Sequence, residues 1–270
     1  MIRFKALLLF LYALPVLAGE LHFEKGNQAY ARGQYENAAT EYRQLLDANR
    51  TSAAVHFNLA NAYHQISRER DEGQVRGATQ LGRAIYHYRM ARRMDPRTRI
   101  ITSNLQQARE RVHGQAPRER AWRVLLGFFT VNEWSIAAWL TLATWLLLMT
   151  AGCVHPTWHA LWRAWLPLLG GAGVALAILA GLAWKIQTAG NEAVAVRDIP
   201  VFKRPLAPEE VPNNVAHAEP DALREGIEMD IIERQENGWL KVAFADGLLN
   251  RSGWVREGAM ERPNLLIFPR

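Results

Sequence analysis

Four asparagines, Asn27, Asn58, Asn61 and Asn104, fall where paired helices would present them on one inner surface. A carboxamide offers a donor and an acceptor together, which is what an extended peptide backbone requires. Arg89 and Arg93 stand at the margin of that expected surface. The same amides can instead bond within the helical repeat, and the sequence leaves both roles open. Trp239 and Trp254, which follow Gly238 and Gly253, are candidates to line a peptide or cell-wall groove, or else to pack a core. His155 and His159 are four apart, as two metal or haem ligands on one helical turn would be. Pro156 disrupts that turn, and polar residues at a membrane interface are the plainer reading. Cys153 is the only cysteine, so no intramolecular disulfide can form, and its apolar surroundings argue against a nucleophile. There is no phosphate-binding Gly-rich loop with lysine, no His-Glu-x-x-His pair and no Gly-x-Ser-x-Gly elbow. Ser52, Ser67, Ser103, Ser135 and Ser252 are scattered without a neighbouring base. The expected chemistry is binding, with no catalytic residue, metal or cofactor.

The elements that would position the asparagines are written twice between Glu20 and Val112. Gly26, Ala29, Gly33, Tyr35, Ala38, Tyr42 and Leu45 occupy the small and aromatic positions of a helix-turn-helix repeat. Ala60, Tyr63, Ala84, Tyr88, Ala91 and Pro96 occupy the matching positions of a second copy. Gly26 to Ala60 is a shift of 34 residues, the tetratricopeptide period, whereas Ala38 to Ala84 and Tyr42 to Tyr88 are shifts of 46. The difference is a 12-residue insertion, expected within 66–80. Asn58-Leu59 recurs as Asn104-Leu105 and opens a helix running to about Val112 that would cap the stack. Small residues let the helices approach, the tyrosines fill the gaps, and each helix pair buries its apolar face on the next.

Charge is unevenly distributed. From Gly19 to Arg123 there are 18 Lys and Arg against 11 Asp and Glu, whereas from Gly190 to Arg270 there are 10 against 14. The arginines of the repeats are interleaved with acids and accompany no nucleic-acid signature, so most of them read as a solvated helical face.

Met1 to Lys5 is a short basic region, Ala6 to Leu17 an apolar run, and a cut after Ala18 completes the pattern of an export signal at 1–18. An uncleaved anchor is the alternative. The repeats are expected over 19–115 and an amphipathic approach segment over 116–133. Trp134 to Val154 is an uncharged stretch long enough to cross about 30 Å of hydrocarbon. After a turn at 155–163, a second apolar run at 164–185 returns the chain, and Trp158, Trp162, Trp165 and Trp184 suit the membrane interfaces. Thr130-Val-Asn-Glu133 has the form of a capping box at the start of the first span. Arginines before the first span would by themselves hold both soluble parts in the cytoplasm. The signal points the other way and outweighs them, because the first apolar segment decides export.

Beyond the spans the period changes. Ala193-Val-Ala-Val196, Pro200-Val-Phe202, Glu228 to Glu233, Trp239 to Phe244 and Gly253-Trp-Val255 are short β-rich runs, expected to form a small barrel over 190–263. Pro205 to Pro220 reads as a long exposed loop. The expected fold class is therefore multi-domain: α-helical repeats, a transmembrane helical hairpin and a small all-β barrel.

Arg224-Glu-Gly226 with Ile231-Ile232, Gly238 to Val242, Ala245-Asp-Gly247 and Gly253-Trp-Val255 resembles a bacterial SH3-like domain. With Glu24-Lys-Gly-Asn27, Gly33-Gln-Tyr35, Asn58 to Tyr63 and Asn132-Glu-Trp134, the order of parts resembles the BatE-type aerotolerance proteins of bacteria. That resemblance implies an envelope scaffold beside von Willebrand-type membrane proteins and a MoxR-type ATPase, in stress tolerance or envelope-protein maturation. The insertion at 66–80 and the loop at 205–220 depart from the compact pattern. A wall sensor gripping peptidoglycan through the barrel and a membrane redox protein are the alternative functions.

Overall fold

The alternation of small and aromatic residues becomes a stack of helices in a computed structural model of the chain. It describes residues 19–72, 80–114, 121–154, 163–188, 191–205, 223–246, 249–259, 262–263 and 265–268. The export signal, the histidines of the 155–163 turn and most of the 205–220 loop lie outside the described residues. The helices are α1 (19–31), α2 (Tyr35–Asp47), α3 (Ala53–Glu72), α4 (Leu81–Met94), α5 (Arg99–His113), α6 (Ala121–Gly127), α7 (Val131–Val154) and α8 (Leu166–Thr188). The strands are β1 (Glu192–Ala195), β2 (Glu228–Arg234), β3 (Trp239–Asp246), β4 (Leu249–Arg256), β5 (Gly258–Ala259), β6 (Arg262–Pro263) and β7 (Leu265–Ile267).

The chain divides into two units, one combining the repeats with the strands and the other holding α6, α7 and α8. In the first, α1 to α5 bury the small positions Ala38, Ala60, Ala84 and Ala91 completely, and Tyr42 and Tyr88 fill the spaces they leave. Gly26 permits the first of these contacts, since a Cβ there would come within 2.6 Å of the Tyr42 ring. Ser52 starts α3 by accepting a hydrogen bond from the Val55 amide at 3.2 Å, which satisfies one orphan donor of the helix end. The segment expected to hold the insertion is in part helical. α3 continues through Ile66 to Glu72, past the point where a 34-residue shift of α1 would end it.

The strands form a five-stranded antiparallel sheet of order β4-β3-β2-β1-β7 and a two-stranded sheet of β5 and β6. Among the described residues the larger sheet is open, where a closed barrel was expected. The Pro200 to Phe202 run forms no strand and contributes a single bridge, Phe202 to Trp254, while the preceding Ile199 bridges to Leu223. β7 is an element that the residue pattern did not announce, and it pairs with β1.

The all-apolar run at β1 has a geometric reason. Successive residues of a strand face opposite ways. Ala193 and Ala195 enter the core of the sheet, while Val194 enters the core of the helices. A strand covered on both faces needs no polar alternation. α4 abuts this strand so closely that a Cβ on Gly82 would sit 2.1 Å from the Ala195 carbonyl oxygen. The Gly82 amide, at the positive end of α4, donates to the Glu225 carboxylate at 3.0 Å.

In the second unit, α7 and α8 pack along one another, with Gly170 and Gly173 of α8 against Trp145 and Leu142. The expected capping box is present: Thr130 N donates to Glu133 Oε2 at 2.9 Å, and Glu133 N donates to Thr130 Oγ1 at 3.2 Å. Both helices are long and apolar enough to cross a membrane. Their outward surface is apolar too, with Trp139, Leu140, Leu147, Leu168 and Ile178 all exposed.

Candidate functional site

The four asparagines come together in two copies of one arrangement. Asn27 Oδ1 accepts from the Tyr42 hydroxyl at 2.8 Å and from Asn58 Nδ2 at 3.0 Å. Asn61 Oδ1 accepts from the Tyr88 hydroxyl at 2.6 Å and from Asn104 Nδ2 at 3.0 Å. The amides thus form a ladder across α1, α3 and α5, each rung tied by a tyrosine from α2 or α4. The intervals match the repeat: Asn27 to Asn61 spans the 34-residue shift, and Tyr42 to Tyr88 and Asn58 to Asn104 span 46. The tyrosine hydroxyls had no place in the binding surface expected from sequence, although their shared 46-residue shift with the asparagines was the available signal. Burial, opposed by the bond to Asn58, pushes the Tyr42 phenol up to about 12, and burial raises that of Tyr88 as well. Both remain protonated donors at neutral pH. All four asparagines are half-buried, so the ladder meets solvent along one edge.

Behind the ladder lies a histidine cluster. His56 Nδ1 and His87 Nδ1 are 2.9 Å apart with their rings stacked, and Tyr63 also stacks on His87. Two such nitrogens can share only one proton, so the two rings cannot both be charged. Burial lowers His56 to about 4 and His87 well below the ordinary value, where the neighbouring His56 and Arg83 act in the same direction. His64, near Tyr88, is lowered to about 4 by burial and by Arg111 and Arg68.

Arg89 and Arg93 are occupied from within the chain. Both contact Glu192, and Arg89 Nη1 also reaches Glu228 Oε1 at 2.8 Å. Arg109 grips Glu228 with two bonds, from Nε at 2.7 Å and from Nη2 at 2.9 Å. Val194 pairs with Glu228 across the sheet, so the two carboxylates flank the valine that enters the helical core. Phe268, just after β7, stacks on Tyr86 at 4.8 Å and lies beneath the guanidinium groups of Arg89 and Arg93. Burial alone would raise the Glu228 carboxyl, but the Arg109 and Arg89 charges outweigh it and hold it at about 2. For these three arginines the reading as a solvated helical face is replaced by an ionic joint between helices and sheet. Glu192, Glu228, Arg109 and Phe268 are its members that the residue pattern did not reveal.

Trp239 and Trp254 are both buried. Trp239 meets Phe202 edge-on at 5.3 Å, and Lys241 stands over Trp254. Cys153 is exposed on α7. Among the described residues no group of three or more His, Cys, Asp or Glu is arranged to hold a metal ion.

A family model described as TPR repeat matches residues 26–67, from α1 to within α3. The chain therefore carries tetratricopeptide repeats, a module that serves protein-protein interaction and is generally non-catalytic. No curated protein matches the chain.

Proposed function

We propose that the protein is a non-catalytic, membrane-anchored scaffold whose repeats hold an extended segment of a partner protein along the asparagine ladder. The carrying observation is the unfinished bonding of the ladder. Among the described residues, the Asn27 and Asn61 amide donors and the Asn58 and Asn104 carbonyls have no side-chain partner. They alternate in kind, as the carbonyls and amides of an extended backbone do. The sheet meets α4 and α5 through Gly82, Tyr86, Arg89, Arg93 and Arg109, which leaves the ladder to a partner.

The anchoring is supported by α7 and α8, whose length and exposed apolar surfaces are suited to lipid. Because the repeats and the strands belong to one unit, the chain must cross the membrane an even number of times between them. Two spans meet that requirement. Together with the export signal expected at 1–18, this supports an extracytoplasmic position for the unit at a bacterial inner membrane. A phosphatase reporter fused after Arg270 is then expected to be active, while activity of a cytoplasmic reporter alone would overturn the assignment.

By resemblance, the assembly is a BatE-type complex with von Willebrand-type membrane proteins and a MoxR-type ATPase, working in aerotolerance or in the maturation of envelope proteins. A photo-crosslinking residue in place of Asn58, activated in intact membranes, is expected to capture such a membrane protein. Capture should fall by about tenfold when Asn61 is also replaced by alanine, the loss of one to two hydrogen bonds. Capture of nothing but further copies of the chain would turn the scaffold into a homo-oligomer.

A further inference from the structure

The segment that leads into α7 has an apolar surface of its own. Trp122, Val124, Leu125, Phe128 and Phe129 are all exposed, although they lie within eight residues of one another. Among the described apolar side chains of this segment, Leu126 is the one that is buried, against Trp134 and the fully buried Ala183 of α8. The Trp134 indole N–H donates to the Leu126 carbonyl at 3.2 Å, which fixes α6 along one edge. Phe129 meets the Trp134 ring edge-on at 5.1 Å. A contiguous patch of this kind on a water-soluble surface marks a binding face.

The surroundings identify what covers it. Ile136, Trp139 and Leu140 of α7, the helix that follows, are exposed as well. α6 has seven residues and is about 10 Å long, far too short to cross about 30 Å of hydrocarbon. Its aromatic residues, Trp122 with Phe128 and Phe129 just beyond, are the types that gather where acyl chains meet headgroups. The adjoining sequence adds Arg118, Arg120 and Arg123, with no acid between Arg120 and Glu133. Such a basic cluster suits anionic headgroups.

We propose that α6 is a monotopic helix lying in the headgroup boundary of an anionic bilayer, with Trp122, Leu125 and Phe128 immersed among the acyl chains. This rests on the reading of α7 and α8 as spans. The test uses the full chain with Cys153→Ser, carrying a nitroxide label at Leu125→Cys or at Leu147→Cys in mid-α7. The protein is reconstituted in vesicles of phosphatidylcholine and phosphatidylglycerol, and each label is probed with oxygen and with a water-soluble nickel chelate. The label at 147 is expected to be deep, and that at 125 shallower but still favouring oxygen over nickel several-fold. A label at 125 in water with the one at 147 in lipid would overturn the proposal and leave the spans intact. Both labels in water would remove the spans and the proposal together. A label at 125 shielded from both reagents would show that protein covers the patch, which also overturns it.

Discussion

Replacing Glu228 by leucine is expected to destabilise the unit of repeats and strands by about 3–5 kcal/mol, because it leaves Arg109 without the carboxylate it grips. Arg89 should suffer less, since Glu192 still faces it. The loss is to be read from urea unfolding in detergent, with protease sensitivity after Gly190 as a second measure. Pairing the change with Arg109→Met should recover most of it, because a buried ion pair exchanged for apolar side chains of similar volume is often nearly neutral. The discriminating quantity is the coupling in the double-mutant cycle. A value of about 1 kcal/mol or more is expected of residues in direct contact. Simple additivity would mean that the joint contributes nothing through this pair. Acid should also loosen the joint, but only at low pH. Glu228 is held at about 2 when folded and titrates near 4.3 when unfolded. Its contribution is therefore complete above about pH 4.3 and is lost as the pH falls towards 2.

The second large effect lies at milder acidity. His56, His64 and His87 are all lowered in the folded chain, so the unfolded chain takes up protons first as the pH drops. The repeats are fully stable above about pH 6.5 and lose stability as the pH falls towards 4. For His56, lowered from 6.5 to about 4, the loss at pH 5 is about 2 kcal/mol. His64 and His87 add to it in the same direction. The urea midpoint of the protein is accordingly expected to fall steeply between pH 7 and pH 5. Replacing both His56 and His87 by phenylalanine should flatten that slope, whatever it does to the midpoint at neutral pH. A midpoint unchanged across the interval would mean that the histidines titrate normally and that the stacked pair is open to water.

These two regions differ in how far the residues announce them. The repeat was legible because its contacts are local: a helix pair recurs within 34 residues, and Gly26, Ala38 and Tyr42 sit at fixed offsets from one another. The capping box at Thr130 and Glu133 was legible for the same reason. The joint was not, since Arg109 and Glu228 are separated by 119 residues and by both apolar helices. Arginines at helical spacing look alike whether they face water or a carboxylate supplied by a later strand. The all-apolar run Ala193-Val-Ala-Val196 did carry a sign that something would cover both faces of its strand. Nothing in its composition said that one cover would be the repeats. The open sheet has a comparable cause, for β7 consists of three residues near the end of the chain whose partner, β1, lies some 70 positions earlier.

That the repeats and the strands complete one unit sets a timetable for synthesis. At about 5–20 residues per second, roughly 8–30 s separate the emergence of α5 from that of Phe268. Glu192 and Glu228 join Arg89, Arg93 and Arg109 within that interval, but Tyr86 waits for Phe268 until its end. Among the described strands, the one made latest, β7, leads directly into the aromatic ring that lies beneath two of those arginines. A chain cut short before Leu265 would leave Tyr86, Arg89 and Arg93 of α4 permanently without that ring.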